Sequence, residues 1–507
     1  MSKIILTSDQ DKVVRDILNF STSNLRTMSL IGAAGTGKTT VLREVVKHLP
    51  YHESLICIAA PTHRAKTVAA RGLGNIERMT IAAAIGMLPD VNNEEFDAIN
   101  NNLFEKLADS RMHKYAFFPI DEASQIPHWM FEHIKSAAMI GRTKTLFLGD
   151  GYQLPPVSND IRDIVSPFSN EGMVDAISLL TTPIRQKPTN PTGVLLLALR
   201  YGISKSIKDK GYLMTALEQE SWFDIYNEIN ACEPERCFST ILKLKPIFIN
   251  EDDEGYKVHT SFTTFIDDMM SEELPIRVMA YTNDQVIGYN KVIHRDKFKR
   301  TSVVDVGDIL IGYNTIQKKE GKDMNTVINN SEEYIVRECK VEDNHHFDFS
   351  DSNKTMKKFP SYHKVFNVTL EDSSGFASCV NILHPDSYKM FTQDHLNRLS
   401  IARKYKGQWW NPYFHFCTEY ITMDIMEGKD SPKRGLDYFY AMTCHKAQGS
   451  TFPVVFVDVP NIRQCYHHYY SHLGNTEFRN NAAREYMLRM LYVACSRSSM
   501  KLHLFIP

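Results

Sequence analysis

The octet Gly32-Ala33-Ala34-Gly35-Thr36-Gly37-Lys38-Thr39 has the spacing Gly-x-x-x-x-Gly-Lys-[Ser/Thr] of a loop that wraps phosphate. Gly32, Gly35 and Gly37 let consecutive backbone N–H groups curl around an anion at the start of a helix, with Thr36 and Thr40 in the same nucleotide-binding run. Lys38 is placed to reach the outer phosphates and Thr39 to ligate Mg²⁺. Asp121-Glu122-Ala123-Ser124 follows an apolar run ending in Ile120. There one acid can hold the metal of a nucleotide while its neighbour orients the attacking water, so Asp121 is assigned to the metal and Glu122 to the base. Gly149-Asp150-Gly151-Tyr152-Gln153-Leu154-Pro155-Pro156 puts the Gln153 amide where it can sense a γ-phosphate, on a loop stiffened by two prolines. The chemistry these three segments share is hydrolysis of a Mg²⁺-bound nucleoside triphosphate.

Such groups need a scaffold that brings loops together. Met28 to Ile31, Leu55 to Ala60, Tyr115 to Ile120 and Thr145 to Leu148 are short apolar runs, each followed by polar, Gly or Pro residues and a helix-like stretch. Buried strands alternating with helices predict a parallel sheet, whose ligands bind beyond the carboxyl ends of the strands. A second set, Arg277 to Ala280, Tyr438 to Met442, Val454 to Val457 and Lys501 to Ile506, predicts a second sheet of the same kind. Between its first two members, Thr301 to Ser431 has strand-like pieces at Val303 to Ile311, Glu333 to Val336 and Val365 to Leu370, which predict an inserted β-rich domain, a small barrel.

The chain has 507 residues, 58 Lys plus Arg and 60 Asp plus Glu, for a net charge of -2. That balance excludes a protein held on nucleic acid by bulk charge and leaves room for a local basic groove. Its nine cysteines form no paired metal-binding spacing, which predicts reduced thiols and a cytoplasmic protein. No signal peptide and no run of the ~18 apolar residues that span a bilayer are visible. Glu251-Asp252-Asp253-Glu254 reads as an exposed acidic loop.

The three nucleotide segments, in this order, resemble those of superfamily 1 helicases. Further segments extend the likeness: Leu6-Thr7-Ser8-Asp9-Gln10 is similar to the Q motif, Ala60 to Lys66 to motif Ia and Thr80 to Ile85 to motif Ib. Leu180 to Gln186 resembles motif IV, Met442 to Thr451 motif V and Leu491 to Ser498 motif VI. The wording of motifs V and VI, and of Val278 to Asn283, is closest to the RecD-like branch, superfamily 1B, and within it to phage members. Two departures stand out. Ala82 replaces the histidine usual in motif Ib, and Ser496-Arg497-Ser498-Ser499 leaves Arg497 as the one arginine of motif VI.

The resemblance implies an α/β fold of two RecA-like P-loop NTPase domains with inserted accessory domains. Residues 1–185 would form the first domain, with an accessory insertion at 86–114. Residues 186–300 and 432–507 would form the second, interrupted by the SH3-like insertion at 301–431. Gln10 would read adenine, and Gly449 and Arg497 would face the nucleotide from the second domain, with Arg185 also directed at the γ-phosphate. An arginine supplied across a cleft stabilises the charge on the transferring phosphoryl group, so hydrolysis requires closure, and closure becomes the motor stroke. Pro61, Thr62, His63 and Thr80 on the first domain, and Thr443, His445 and Lys446 on the second, would contact single-stranded DNA. Alone, His445 would read as a core histidine; the motif makes it a DNA contact.

Two segments admit two readings each. Asn92 to Phe104 is either a strand-separating hairpin, with Phe96 or Phe104 as wedge, or a helical insertion that includes Leu103 to Leu107. Trp409 and Trp410, within Ala402 to Phe414, either pack the insertion, which burial of large aromatics favours, or form a single-strand platform. The implied activity is ATP-dependent unwinding of DNA with 5'→3' movement on a single strand. Its partners would be single-stranded DNA and duplex junctions, with a single-strand DNA-binding protein or other replication or recombination factors, and the chain would act as a monomer. The rivals are an RNA translocase, an ATP-switched single-strand clamp and a subunit of a nuclease complex.

Overall fold

The computed structural model describes residues 5–61, 73–74, 76–89, 104–106, 109–156, 173–184, 191–203, 256–320, 323–346, 362–423, 432, 434–468 and 476–507. They divide into two compact units, one built from residues up to 289 together with 441–507, the other from 290–440. Among the described residues no helix is long and apolar enough to cross a membrane, and every cysteine is unbridged.

The first unit opens with helix α1 (Ser8–Thr22), started by a capping box in which the Thr7 hydroxyl accepts from Gln10 N–H and the Gln10 side chain accepts from Thr7 N–H. Val13, Ile17 and Phe20 recur at helical spacing and are buried, which fixes the face α1 presents to the sheet. Then follow β1 (Thr27–Gly32), α2 (Lys38–His48), β2 (Cys57–Ala60), β3 (Glu77–Thr80), β4 (Phe117–Ile120), α3 (His128–Gly141), β5 (Lys144–Gly149), β6 (Ala176–Leu180) and α4 (Pro191–Ile203). The six strands form one sheet in the order β3-β2-β4-β5-β1-β6, every pair parallel. Val41, Leu42 and Val45 of α2 pack with Leu30, Ile58, Phe117 and Leu146 on one face, while Phe131 and Ile134 of α3 pack with Phe118, Ile120 and Phe147 on the other. Both faces are covered, as a parallel sheet requires.

Met87–Pro89 pairs antiparallel with Phe104–Lys106, with Pro89 opposite Phe104. The helical reading of 103–107 is therefore wrong at 104–106, where cross-strand bonding overrides the helix-like spacing of apolar residues. Of the two wedge candidates, Phe96 lies outside the described residues and Phe104 begins the second strand of this pair.

The same unit holds a second parallel sheet, begun by β7 (Tyr256–His259), α5 (Phe262–Ser271), β8 (Ile276–Ala280) and α6 (Asn283–Val292). The chain then forms the second unit: β9 (Ile309–Gly312), β10 (Glu333–His346), β11 (Tyr362–Asp372), β12 (Ala377–Leu383), α7 (Tyr388–Tyr405), α8 (Trp410–Glu419), β13 (Tyr420–Ile421) and β14 (Leu436–Tyr438). It returns as β15 (Ala441–Thr443), β16 (Phe452–Asp458), α9 (Thr476–Cys495) and β17 (Ser498–Phe505), giving the order β15-β8-β16-β17-β7. The run Tyr438 to Met442, read as one strand, is two. Leu436–Tyr438 belongs to the second unit's sheet and Ala441–Thr443 to this one, with a bend at Phe439 and Tyr440 between.

The second unit is a six-stranded sheet, β13-β12-β11-β10-β9-β14, antiparallel except for the β12–β13 pair, around Leu310, Val336, Phe366, Val368 and Ile382. Its sheet takes in Leu436–Tyr438, so the insertion extends beyond the expected 431. Val303 to Val306 lie outside any strand. In α7 and α8, Tyr405 stacks on Trp409 at 5.0 Å and Trp410 on Phe414 at 5.7 Å, so these aromatics spend their faces on one another.

Candidate active site

Strand β1 delivers the chain into the glycine-rich loop, and α2 begins at Lys38. Gly37 caps α2 with φ +86°, and a Cβ there would fall 2.4 Å from Gln10 Nε2, so both conformation and space require glycine. The buried Gln10 side chain donates to Thr36 O at 3.0 Å and thereby ties α1 to the loop. The Thr36 hydroxyl donates to Ala33 O at 2.9 Å, and Ile184 N–H to Gly35 O at 2.8 Å. Lys38 Nζ donates to Gly32 O and Ala33 O at 2.7 and 3.2 Å, so its ammonium lies along the loop's own rim. Thr39 and Thr40 follow in the first turn of α2, half-buried.

At the end of β4, Asp121 is buried and its Oδ1 accepts from Glu122 N–H at 2.9 Å. Glu122 sits in the left-handed region, φ 52°, where the chain leaves the strand direction. Burial raises the pKa of Asp121, against the pull of Lys38. Burial also pushes Glu122 up to about 7, with Asp121 and Asp150 adding to the rise and Lys38 and Arg497 opposing it. The influence of both cations on one carboxylate means that the first sheet's acids and the second sheet's arginine share a site. Gly449, φ +74°, completes that contact: a Cβ there would stand 3.4 Å from Glu122 Oε1.

Arg497 is fully enclosed. Its Nε donates to Val493 O at 3.0 Å, Nη1 to Ser450 O at 3.2 Å and Nη2 to the Ser496 hydroxyl at 2.8 Å. Burial lowers its pKa and Glu122 opposes that. The Gly149–Pro156 loop lies against α9. Asp150 Oδ2 accepts from Ala34 N–H and from the Tyr492 hydroxyl, both at 2.8 Å, and Arg489 Nη1 donates to Gly151 O and, at 2.8 Å, to Gln153 O. Gln153 is buried, and among the described residues its Oε1 has no hydrogen-bond partner, as suits an amide held for a ligand.

The spacing of motifs missed Asp150, Arg489 and Tyr492. Arg489 and Tyr492 lie three residues apart on α9, and that i, i+3 spacing, running on toward Arg497, was the available signal. The expected DNA contacts are less tightly grouped. Pro61 ends β2 half-buried, and the Thr80 hydroxyl accepts from Ala83 N–H at 3.3 Å. The Thr443 hydroxyl accepts from Lys446 N–H, and His445 Nε2 lies 2.7 Å from the Tyr486 hydroxyl, with burial pulling the ring down to about 4. Thr62, His63 and Arg185 lie outside the described residues.

A family model described as an AAA domain matches residues 5–207, the part that carries the first sheet, and one described as a UvrD-like helicase C-terminal domain matches residues 438–473, in the second. The ATP-dependent DNA helicase dda of Enterobacteria phage T4 is 24% identical over 469 residues, 90% of this chain and 93% of that one. These matches support the resemblance to superfamily 1B helicases of the Dda-like kind. The chain is an ATP-hydrolysing enzyme. An uncharacterized protein of Acanthamoeba polyphaga mimivirus is 22% identical over 99% of this chain and 100% of its own length. Two solved structures are similar in outline: Pif1 helicase from Candida albicans, 16% identical, TM-score 0.42, over 99% of this chain and 95% of that one, and Pif1 helicase from Bacteroides in complex with ADP-AlF3 and ssDNA, 17% identical, TM-score 0.42, over 100% and 95%.

Proposed function

We propose that this ATP-dependent DNA helicase moves 5'→3' along single-stranded DNA as a monomer and separates the duplex ahead of it. The observation that carries the catalytic part is the meeting of the two sheets at Glu122, where Gly449 stands against its carboxylate and both Lys38 and Arg497 act on its charge. Glu122 takes the proton of the attacking water, Lys38 leaves the loop rim for the outer phosphates, and Arg497 stabilises charge on the transferring group. Gln153, with its unpartnered buried Oε1, orients the water or the γ-phosphate. The Thr39 hydroxyl and Asp121 carboxylate are hard oxygen donors, and the Glu122 N–H bond fixes the carboxylate, so this pair fits Mg²⁺. A bound Mg²⁺ would neutralise charge on the phosphate oxygens.

Coupling to movement runs through α9. Asp150 meets the phosphate loop and Tyr492 together, and Arg489 holds the loop that carries Gln153. A change at the phosphate is thus passed to the helix that leads to Arg497. Thr443, His445 and Lys446 lie on the turn that meets α9 through the 2.7 Å contact of His445 Nε2 with the Tyr486 hydroxyl, and with Pro61, Thr62, His63 and Thr80 they form the proposed path of the single strand. Affinity through such a local groove falls steeply with salt despite the net charge of -2. Polarity rests on the motif resemblance alone, and the choice of DNA on that resemblance and on the dda relative.

Strand separation on duplexes carrying a 5' or a 3' single-stranded tail, with ATP and Mg²⁺ and with Lys38→Ala as control, tests this. Unwinding from the 5' tail alone is expected. Unwinding from the 3' tail would overturn the polarity. ATPase stimulated by single-stranded DNA without unwinding of either substrate would favour a clamp, and stimulation by RNA alone an RNA translocase.

A further inference from the structure

At the outer edge of the second parallel sheet, three side chains from three elements converge. His259 ends edge strand β7, His503 lies on the adjacent β17, and Asp268 comes from α5. The two strands run parallel with Lys257 opposite His503 and His259 opposite Phe505, so both imidazoles project from one face, a single pleat apart. His259 Nε2 lies 3.0 Å from His503 Nδ1. Asp268 Oδ2 lies 3.7 Å from the first nitrogen and 3.8 Å from the second. The histidines are 2% and 8% exposed, and Phe456 stacks on His503 at 4.2 Å.

One proton shared between two neutral rings accounts for the 3.0 Å contact. The carboxylate takes no part in that bond: it stands outside hydrogen-bond range of both rings and almost equally far from each, with Lys257 Nζ on the same oxygen at 2.7 Å. A point equidistant from the three atoms lies about 2.1 Å from each, the length of a Zn–N or Zn–O bond. Two imidazoles and a carboxylate are also a donor set that zinc accepts with water in its fourth position.

We propose that His259 Nε2, His503 Nδ1 and Asp268 Oδ2 form a binding site for a borderline divalent cation, Zn²⁺, which fastens β7 and α5 to β17. It is distinct from the nucleotide's metal position, where Thr39 and Asp121 offer only hard oxygens. Lys257 is its built-in competitor. Its ammonium lies 2.7 Å from Asp268 Oδ2, but its half-exposed stem lets it withdraw into water when a metal takes the carboxylate. A second cluster, His294, Asp305 and Asp308, does not qualify, because Asp308 already accepts from the Tyr440 hydroxyl and Asp305 N–H and has Arg300 at 3.9 Å.

The test is titration of the chelator-stripped full chain with ZnCl₂ by calorimetry, and with Co²⁺ by visible absorption, which reports a tetrahedral site. One equivalent is expected to bind. Asp268→Asn and His503→Gln should each weaken binding by at least about tenfold, the low end for disturbing a metal site. Lys257→Met should tighten it, a direction that misfolding cannot imitate, and His294→Gln should leave it unchanged. Asp268 is partly exposed, so its asparagine variant keeps the experiment decisive even where a buried histidine cannot be replaced. No stoichiometric binding to the unmodified chain would overturn the proposal. So would binding that survives Asp268→Asn and His503→Gln undiminished.

Discussion

The two parallel sheets end their central strands in opposite ways. After β1 the loop amide of Ala34 is held by Asp150 from a neighbouring strand and lies 3.1 Å from the Tyr492 hydroxyl on α9 of the other sheet. After β8 the amides of Tyr281 and Thr282 both donate to Asn461 Oδ1, at 2.7 and 3.0 Å, and Asn461 Nδ2 donates back to the Thr282 hydroxyl. Asn461 N–H is itself fixed by Asp458 Oδ1. The first strand end is closed by groups from two other elements, Asp150 and Tyr492, which phosphate would have to replace. The second is plugged by a neutral side chain of its own sheet. The same topology therefore yields a nucleotide-binding wall in one case and a fixed support for Arg497 in the other, and the groups that satisfy the strand-end amides make the difference.

The largest effect expected from this contrast is at the support. Arg497→Ala should lower ATP turnover by about 10³ to 10⁵, the range for an arginine supplied across a cleft, with single-strand binding retained. Steady-state ATPase on the purified variant measures it, and a loss below about tenfold would break the division of labour between the sheets. Next comes the plug. Asn461→Ala leaves two half-buried amides without their acceptor, at about 1 kcal/mol each, and denaturant unfolding should show that loss while turnover of the folded fraction is kept. If stability is unchanged and turnover falls, the second strand end is also a ligand site.

The third prediction concerns the exit from β15, which is likewise neutral. Burial holds His445 down at about 4, well below its unfolded value near 6.5, so between those values the unfolded chain binds the extra proton. Stability is full above the unfolded pKa and falls as pH drops through that window, by roughly 1–1.5 kcal/mol at pH 5.5. His445→Gln should flatten the profile in unfolding experiments at pH 7.5 and 5.5. An unchanged slope would mean that burial does not hold the ring neutral in the folded chain.

The contrast also explains what could be read from the residues alone. Walker-type contacts are local: eight consecutive residues make the phosphate loop, and the Asp121-Glu122 pair is adjacent in sequence, so both were legible. Strands made of apolar residues, such as Thr27–Gly32 and Phe452–Asp458, were legible too. Glu77–Thr80 was not, because two of its four residues are charged and it is a sheet only through its pairing with β2. Tyr438 to Met442 was misread because two strands of different sheets are separated by only two residues. Tyr492, Asp150 and Asn461 act through contacts hundreds of residues apart or through a strand end, and no local spacing announces such partners.

The smallest predicted effect is the most direct test of exchange at the first strand end. The Tyr492 hydroxyl adds one hydrogen bond to Asp150, and its proximity to Ala34 N–H helps keep that amide committed within the protein. If nucleotide binding requires the loop to give up these partners, removing one of them makes binding easier. Tyr492→Phe, which keeps the ring against Tyr152, should lower the KM for ATP by about 2- to 5-fold, the worth of one net hydrogen bond, with kcat changed less. If instead KM rises, the hydroxyl contacts the nucleotide or shapes its pocket, and the first strand end is as fixed as the second.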